Sequence, residues 1–433
     1  MLYGEVKMLL KIKNFAKIKN AEVKIDGITV IAGENNTGKS TIGKILYSIY
    51  ASYYNIEDKI YSEKRDLIIS KLFKYIINLD EDFNSINNNV TLCKSIAEKI
   101  IDNYKDISDI NNFVSNLISK DFKVNLNDSD FNKIMDDIQD ILTIENNIVE
   151  FTIIDNIFNS EFNSQINHTN FRDKEAFVDL TIKDKLLSFK FKNNEIEDIK
   201  RTINLFMNPI YIDNPFVLDE LSNRRLTPFN IVHHKEDLYN KLENSNLNNN
   251  LISQTLNKAK LSEISNKLNS ITNGSFSNID DELKFNIPGL NEPLNLRNLS
   301  TGLKTFVIIK RLIENGYLEQ NGILILDEPE IHLHPEWQLT LAEIIVLLNK
   351  EFNINIIVNT HSPYFLNSIE VFSAKHKISD KCNYYLAESD NLDNTVSCIT
   401  DVTNNTSNIY AKLAAPLKKL EHLFYEVGDH DEL

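Results

Sequence analysis

The sequence predicts an α/β protein whose sheet is parallel where its chemistry lies, and three short stretches carry that expectation. The first, IAGENNTGKSTIG at 31–43, holds three of the chain's 11 glycines. It follows the run VKIDGITVI and opens into TIGKILYSIYASYY, where Ile42, Ile45, Leu46 and Ile49 recur at helical spacing. The second, ILILDEP, is a four-residue apolar run closed by Asp327 and Glu328, as in strands buried within parallel sheets. The third, INIIVNTHSPYFL, repeats the layout with Asn359, Thr360, His361 and Ser362 at the strand's end. Ligands of open α/β sheets bind outside the carboxyl ends of the strands, so all three stretches point to one crevice.

The first stretch is a strand, a loop and a helix. From Gly33 through Asn35, Asn36 and Thr37 to Gly38, Lys39, Ser40 and Thr41 it fits the phosphate-loop pattern G-x-x-x-x-G-K-[ST]. Glycines let backbone amides close around phosphate oxygens, and a helix opening at Lys39 aims its positive end at the same charge. Lys39 is expected to reach the β and γ phosphates and Ser40 to place its hydroxyl on Mg²⁺. A turn with a chance lysine would have to match every fixed position and both flanking elements.

Asp327 then holds Mg²⁺ opposite Ser40, and Glu328 is placed to orient or deprotonate a water attacking the γ-phosphate. Pro329 and Pro335 would also permit two merely solvated acids in a loop, but the phosphate loop in the same chain favours the catalytic reading. His361, at the third strand's end, faces the same crevice and is expected to contact the γ-phosphate. His332 and His334 alternate around Leu333 without a third ligand, so no zinc site is read. His233 and His234 are adjacent, point apart in any regular element and stay unassigned. In LNLRNLSTGLKTFVIIKRL, Ser300 or Thr301 is either a plain N-cap or, with Gly302, part of a second anion site.

The formal net charge of −16 argues against broad nonspecific nucleic-acid binding. A DNA contact would need a local patch, for which Lys7, Lys11, Lys13, Lys17, Lys19 and Lys24 are the candidates; a solvated strand face is the plainer reading. The hydrophobic fraction of 42% and charged fraction of 25% are those of a globular chain. No apolar run is long enough to span a bilayer, no secretion leader is read, and Cys93, Cys382 and Cys398 are too scattered for a disulfide framework. A cytoplasmic protein without a membrane partner is expected.

Along the chain, residues 1–50 read as the first part of an α/β core with the phosphate loop. Residues 51–160 read as a helical insertion, with LIISKLFKYIINL and FNKIMDDIQDILTIENNIVEF each taken as one amphipathic helix. Residues 161–231 return to strands, AFVDLTIKDKLLSFKFK as an antiparallel meander and NPIYIDNPFVL as a further strand. Residues 232–272 read as a helical hairpin insertion, and 273–433 complete the core.

The order of phosphate loop, long insertion, NLSTGLK, ILILDEP and NTHSP resembles the ABC-type ATPases of the SMC, RecF and OLD superfamily. DEPEIHLHPEWQ is most similar to the OLD and RecF branch, and the whole to the short ATPase subunits of antiphage systems such as Septu, PARIS and Gabija. The resemblance implies an ABC-type head, a mixed sheet with an antiparallel meander and helical insertions, that uses ATP and Mg²⁺. It implies that Lys39 contacts phosphates, Ser40 and Asp327 hold the metal, Glu328 is catalytic and His361 takes the switch position. Ser300 and Gly302 would act in trans, closing on the nucleotide of a second head. The signature departs from the family by Thr301 and by Leu303 after Gly302, which implies weaker trans contacts and slow turnover. Gln165 is the nearest candidate for the family's Q-loop residue, and no nuclease domain is expected; Glu388, Asp390 and Asp393 read as a solvated turn. The function implied is a homodimeric or larger regulatory ATPase of an antiphage system that controls a separate nuclease or toxin. The alternative is a DNA-repair or recombination ATPase that clamps DNA, and a transporter subunit ranks below both.

Overall fold

The computed structural model describes residues 8–79, 86–104, 110–122, 128–170, 172–220, 233–245, 251–279, 282–390 and 392–428. Contacts divide the chain into two compact units, one of residues 1–54 with 156–433 and one of residues 55–155.

The larger unit is organised by one sheet. Three strands, β1 (Met8–Phe15), β2 (Ile18–Ile25) and β3 (Ile28–Gly33), lead into helix α1 (Lys39–Tyr53). After the smaller unit come β4 (Ala176–Ile182), β5 (Lys185–Lys192), β6 (Glu195–Arg201) and β7 (Pro209–Ile212). The strands β11 (Ile323–Asp327), β12 (Asn355–Thr360), β13 (Cys382–Ser389) and β14 (Ser397–Asp401) complete it. The sheet has eleven strands in the order β6-β5-β4-β1-β2-β14-β13-β3-β12-β11-β7. From β13 to β7 every pairing is parallel, and β4 to β6 form the antiparallel meander. The parallel half reads as continuous apolar runs because both faces are covered; Ile323, Leu324, Ile325 and Leu326 are all buried.

Helices cover that half. Between β7 and β11 lie α7 (Val217–Glu220), α8 (His234–Glu243), α9 (Leu251–Thr272), a small sheet of β8 (Ser275–Ile279), β9 (Glu282–Asn286) and β10 (Leu294–Asn295), and α10 (Thr301–Glu314). The stretch read as a hairpin insertion contributes Leu238, Leu242, Ile264 and Leu268 to the principal core, beside Phe306 and Leu312 of α10. Next come α11 (Pro335–Phe352) and α12 (Pro363–Lys375), then α13 (Ser407–Leu413) and α14 (Ala415–Gly428). Two histidine- or serine-proline pairs start α11 and α12 sharply: His334 and Ser362 are N-caps and each proline takes the first helical position.

Glu343 fastens this helical layer. Its buried carboxylate on α11 accepts hydrogen bonds from Lys267 (2.6 Å), Lys375 (2.8 Å) and His376 (3.1 Å). Burial pushes its pKa up, but the bonds from Lys267, Lys375 and His376 outweigh that and lower it from 4.5 to about 2. A depressed carboxyl pKa stabilises the fold above the unfolded value, and that stability is lost as pH falls through the folded one. Glu343→Gln is therefore expected to cost about 2 kcal/mol near neutrality. Between pH 4.5 and 2 the wild type loses this advantage and the difference in melting temperature narrows, which a pH series of thermal melts reads.

The smaller unit is helical: α2 (Ile56–Leu79), α3 (Ile86–Asn103), α4 (Ile110–Phe122), α5 (Asp128–Thr143) and the start of α6 (Asn146–Phe162), around Ile68, Leu72, Ile96, Ile100, Val114 and Ile138. The stretch read as one helix, FNKIMDDIQDILTIENNIVEF, is two. Lys64 explains the break, because its ammonium takes the carbonyl of Ile144 (2.7 Å) and the Asn146 side chain (3.1 Å) at the junction. Among the described residues no helix is long and apolar enough to cross a membrane.

Candidate active site

Parallel register brings the three predicted stretches together. Ala32 of β3 stands opposite Thr360 of β12, Asn359 opposite Asp327 of β11, and Leu326 opposite Ile212 of β7. The strand ends therefore form one row, from which Gly33, His361, Glu328 and Asp213 project as the next residues.

The phosphate loop needs its two glycines for different reasons. Gly38 has φ +85° and is the N-cap of α1, a left-handed turn that glycine adopts without penalty. Gly33 is constrained by packing: a Cβ there would lie 2.2 Å from the Ala387 carbonyl oxygen of β13. Asn36 also takes positive φ and its carbonyl accepts from Lys17 (2.6 Å), while Thr37 is buried and bonds the Glu34 carbonyl (2.8 Å). Asn35 is exposed, and Ser40 and Thr41 stand half-buried in the first turn of α1.

Lys39 is folded back into this loop. Its Nζ donates to the carbonyls of Gly33 (3.0 Å) and Glu34 (2.8 Å), lies 3.7 Å from Glu328 Oε1, and only 4% of the side chain is exposed. Burial lowers its pKa, opposed by the negative charges of Glu328 and Asp327. An ammonium bonded to its own loop's carbonyls is one that a triphosphate can recruit without rebuilding the backbone.

Asp327 is gripped at both oxygens, Oδ1 by the Asn359 amide and Oδ2 by the Tyr211 hydroxyl, each at 2.9 Å. Glu328 follows with φ +50°, fixed by its N–H donating to the Asn359 carbonyl at 2.9 Å. Such backbone in a bulky residue is held only where surrounding structure over-determines it. Glu328 Oε1 lies 3.4 Å from His361 Nδ1, so one carboxylate oxygen stands between Lys39 and His361. The Ser40 hydroxyl and the Asp327 carboxylate are hard oxygen donors of the kind Mg²⁺ takes, and the chemistry of this set fits that ion.

Glu330 was not singled out by sequence. It is buried, accepts from the Thr360 hydroxyl and from the His361 N–H (3.3 Å), and burial raises its pKa. It holds the start of the loop after β12 through the His361 backbone. Its signal in the sequence, a third acid in DEPE, is indistinguishable from a solvated loop carboxylate.

Ser300 and Gly302 are not tied to this group by any hydrogen bond or ion pair among the described residues. Ser300 is the N-cap of α10 and makes no side-chain capping bond, so its hydroxyl is not committed to the helix. Gly302 packs under Trp337, whose ring a Cβ would meet at 3.1 Å. Gln165 is exposed in a turn whose next residue, Ile166, accepts the Ala16 N–H (2.7 Å). His334 serves as the α11 cap and His332 packs edge-on against Phe216. Asp390 pairs with Lys19 and Asp393 caps Thr395, a turn between β13 and β14. The expectation that His233 and His234 point apart is corrected. His233 is the N-cap of α8 and His234 its first residue, and at that irregular junction their rings lie side by side, tilted by 33° with centroids 4.3 Å apart.

With the geometry in place, the comparison with known families is direct: the model of the AAA ATPase domain matches residues 8–366. The chain belongs to this family. Among relatives, a probable ATPase of retron Vc95 from Vibrio cholerae is 35% identical over 21% of this chain and 19% of its own length. Endonuclease GajA from Bacillus cereus is 25% identical over 82% of this chain and 55% of its own length. The ATPase thus spans well under two thirds of either relative. Of solved structures, the SMC head domain from Thermotoga maritima aligns with a TM-score of 0.38 at 12% identity, covering 92% of this chain and 99% of that one. The fold is a mixed α/β sheet with helices over its parallel half, and the family is one of ATPase domains.

Proposed function

We propose that this ATPase is a nucleotide-driven switch that pairs with a second copy on binding ATP and controls a separate effector, a nuclease or toxin, of an antiphage system. The observation that carries the reading is the convergence of Lys39, Glu328 and His361 around one carboxylate oxygen beside Asp327. Lys39 and the loop amides bind the phosphates, with Asn35, Asn36, Thr37 and Thr41 shaping the loop. Ser40 and Asp327 hold Mg²⁺, which when bound neutralises charge developing on the phosphates. Glu328 takes the proton of the attacking water. His361, held by Glu330, orients toward the γ-phosphate. Gln165, one residue before the Ile166 carbonyl that accepts the Ala16 N–H, is the Q-loop candidate.

Pairing follows from what one chain leaves open. The Ser300 hydroxyl and the amide end of α10 are suited to an anion, and a second head presenting them would close over the nucleotide. Similarity to a retron ATPase and to GajA supports the antiphage setting, and the composition supports action in the cytoplasm. DNA clamping is less well supported: Lys11, Lys19 and Lys24 face Glu22, Asp390 and Asp26, which cancels much of the strand-borne positive charge; Lys7 lies outside the described residues.

Light scattering on the purified chain tests pairing. Mass is expected to double with a non-hydrolysable ATP analogue and Mg²⁺ and to stay monomeric without them. The same mass in both conditions would sink ATP-driven assembly.

A further inference from the structure

The Tyr211 hydroxyl has a task that packing does not explain. Tyr211 is buried on β7 and a phenylalanine would fill the same space, yet its hydroxyl donates to Asp327 Oδ2 at 2.9 Å. Buried phenols keep a partner, and here the partner is the carboxylate assigned to the metal. The ring lies against the His234 imidazole, centroids 4.4 Å apart, and Tyr47 of α1 closes the box at 6.2 Å from Tyr211 and 5.9 Å from His234.

His234 is itself pinned. Its backbone N–H donates to Glu161 Oε1 at 2.6 Å, its Nδ1 lies 2.7 Å from Glu161 Oε2, and its Nε2 lies 3.0 Å from Asp213 Oδ2. Glu161 has no exposed surface, and a carboxylate buried so completely is tolerable only when paired and hydrogen-bonded. Glu161, His233 and His234 also bring ligand atoms within 4.8 Å of one another. Both Glu161 oxygens already bond His234, so a polar network accounts for them without an ion.

The two carboxylates lead in different directions. Glu161 stands in the last turn of α6, the helix through which the chain returns from the unit of residues 55–155. Asp213 directly follows β7 and lines a recess of about 170 Å³ together with Asp327 and Glu328. A single imidazole thus joins the end of α6, the end of β7 and the ring that holds Asp327.

We propose that Tyr211 is a positioning residue for Asp327 and that the Glu161–His234–Asp213 network sets where Tyr211 stands, so that the metal-binding carboxylate is coupled to the last turn of α6. The inference rests on the ATP-site reading above. Outer partners of a metal-binding group are typically worth 10- to 100-fold in metal affinity. Loss of the Tyr211 hydroxyl should act on Mg²⁺ and not on the nucleotide's other contacts.

The experiment is a titration of the full chain with a fluorescent ATP analogue, in EDTA and across a Mg²⁺ series, for wild type, Tyr211→Phe, Glu161→Gln and the double variant, each first checked by thermal melting. Tyr211→Phe is expected to raise the Mg²⁺ midpoint about tenfold and leave affinity in EDTA within twofold. Glu161→Gln should shift the midpoint the same way, and the double variant should be no worse than Tyr211→Phe alone, the signature of one coupled unit. Should Glu161→Gln fail to fold, Asp213→Asn replaces it in the cycle. A Tyr211→Phe midpoint within twofold of wild type overturns the positioning role, and shifts that multiply in the double variant overturn the coupling. A wild type that binds no analogue in any condition fails the ATP-site reading itself, a result distinct from either.

Discussion

Lys39→Ala is expected to abolish ATP binding at every accessible concentration, weakening it at least about 100-fold. The side chain donates two hydrogen bonds within its own loop, to the carbonyls of Gly33 and Glu34, and bound phosphate oxygens would take their place. Hydrogen bonds to a charged group contribute about 1.5–3 kcal/mol each, so losing two gives a factor of that order. Electrostatics add to it, because Lys39 is also the cation facing Glu328. Alanine would leave Asp327 and Glu328 confronting a triphosphate without that countercharge. Isothermal titration with ATP and Mg²⁺ reads the loss, with a thermal melt to show that the loop change leaves the fold standing. A dissociation constant within threefold of wild type would mean that the phosphates lie elsewhere.

How much of this site could be read from the sequence depends on how local its physics is. The phosphate loop was legible because its constraints fall within eight consecutive residues, and the strand ends because buried parallel strands announce themselves as apolar runs. Gly33 shows a limit even there. Its position suited a phosphate-loop glycine, but the contact that demands it comes from Ala387, and no pattern within the loop reveals a neighbour that far along the chain. The fastening of Asp327 lay beyond pattern reading for the same reason. Tyr211, His234, Glu161 and Asp213 come from separate elements, and each is unremarkable in its own stretch.

Two local rules also misled. Adjacent side chains diverge within a helix or strand, yet His233 and His234 stand at a helix entrance where the rule does not apply. Apolar periodicity ran unbroken from Phe131 to Phe151, and the helix still ends at Thr143 because Lys64, from another helix, claims the carbonyl at the junction. The antiparallel meander was easy by contrast, since alternation in AFVDLTI survives as alternating burial along β4.

Glu328→Gln separates binding from hydrolysis, the reverse of the lysine substitution. The side chain keeps its size, and the backbone turn that presents it is fixed by the Glu328 N–H bonded to Asn359, a contact the amide leaves intact. What disappears is the negative oxygen between Lys39 Nζ at 3.7 Å and His361 Nδ1 at 3.4 Å. An amide cannot accept the proton of an attacking water, and positioned general bases contribute about 10²- to 10⁴-fold. The turnover number should fall within that range while ATP affinity stays within about threefold or improves, since a negative charge near the γ-phosphate has been removed. If pairing depends on intact ATP, the variant should also hold the doubled mass on ATP itself, where the wild type decays to monomer as phosphate is released. Phosphate release and light scattering on one sample follow both quantities. Turnover within threefold of wild type would remove Glu328 from the chemistry and leave His361 or Glu330 as the acceptor to test next. Lost hydrolysis with an unchanged monomer mass would keep the catalytic assignment and reject the switch.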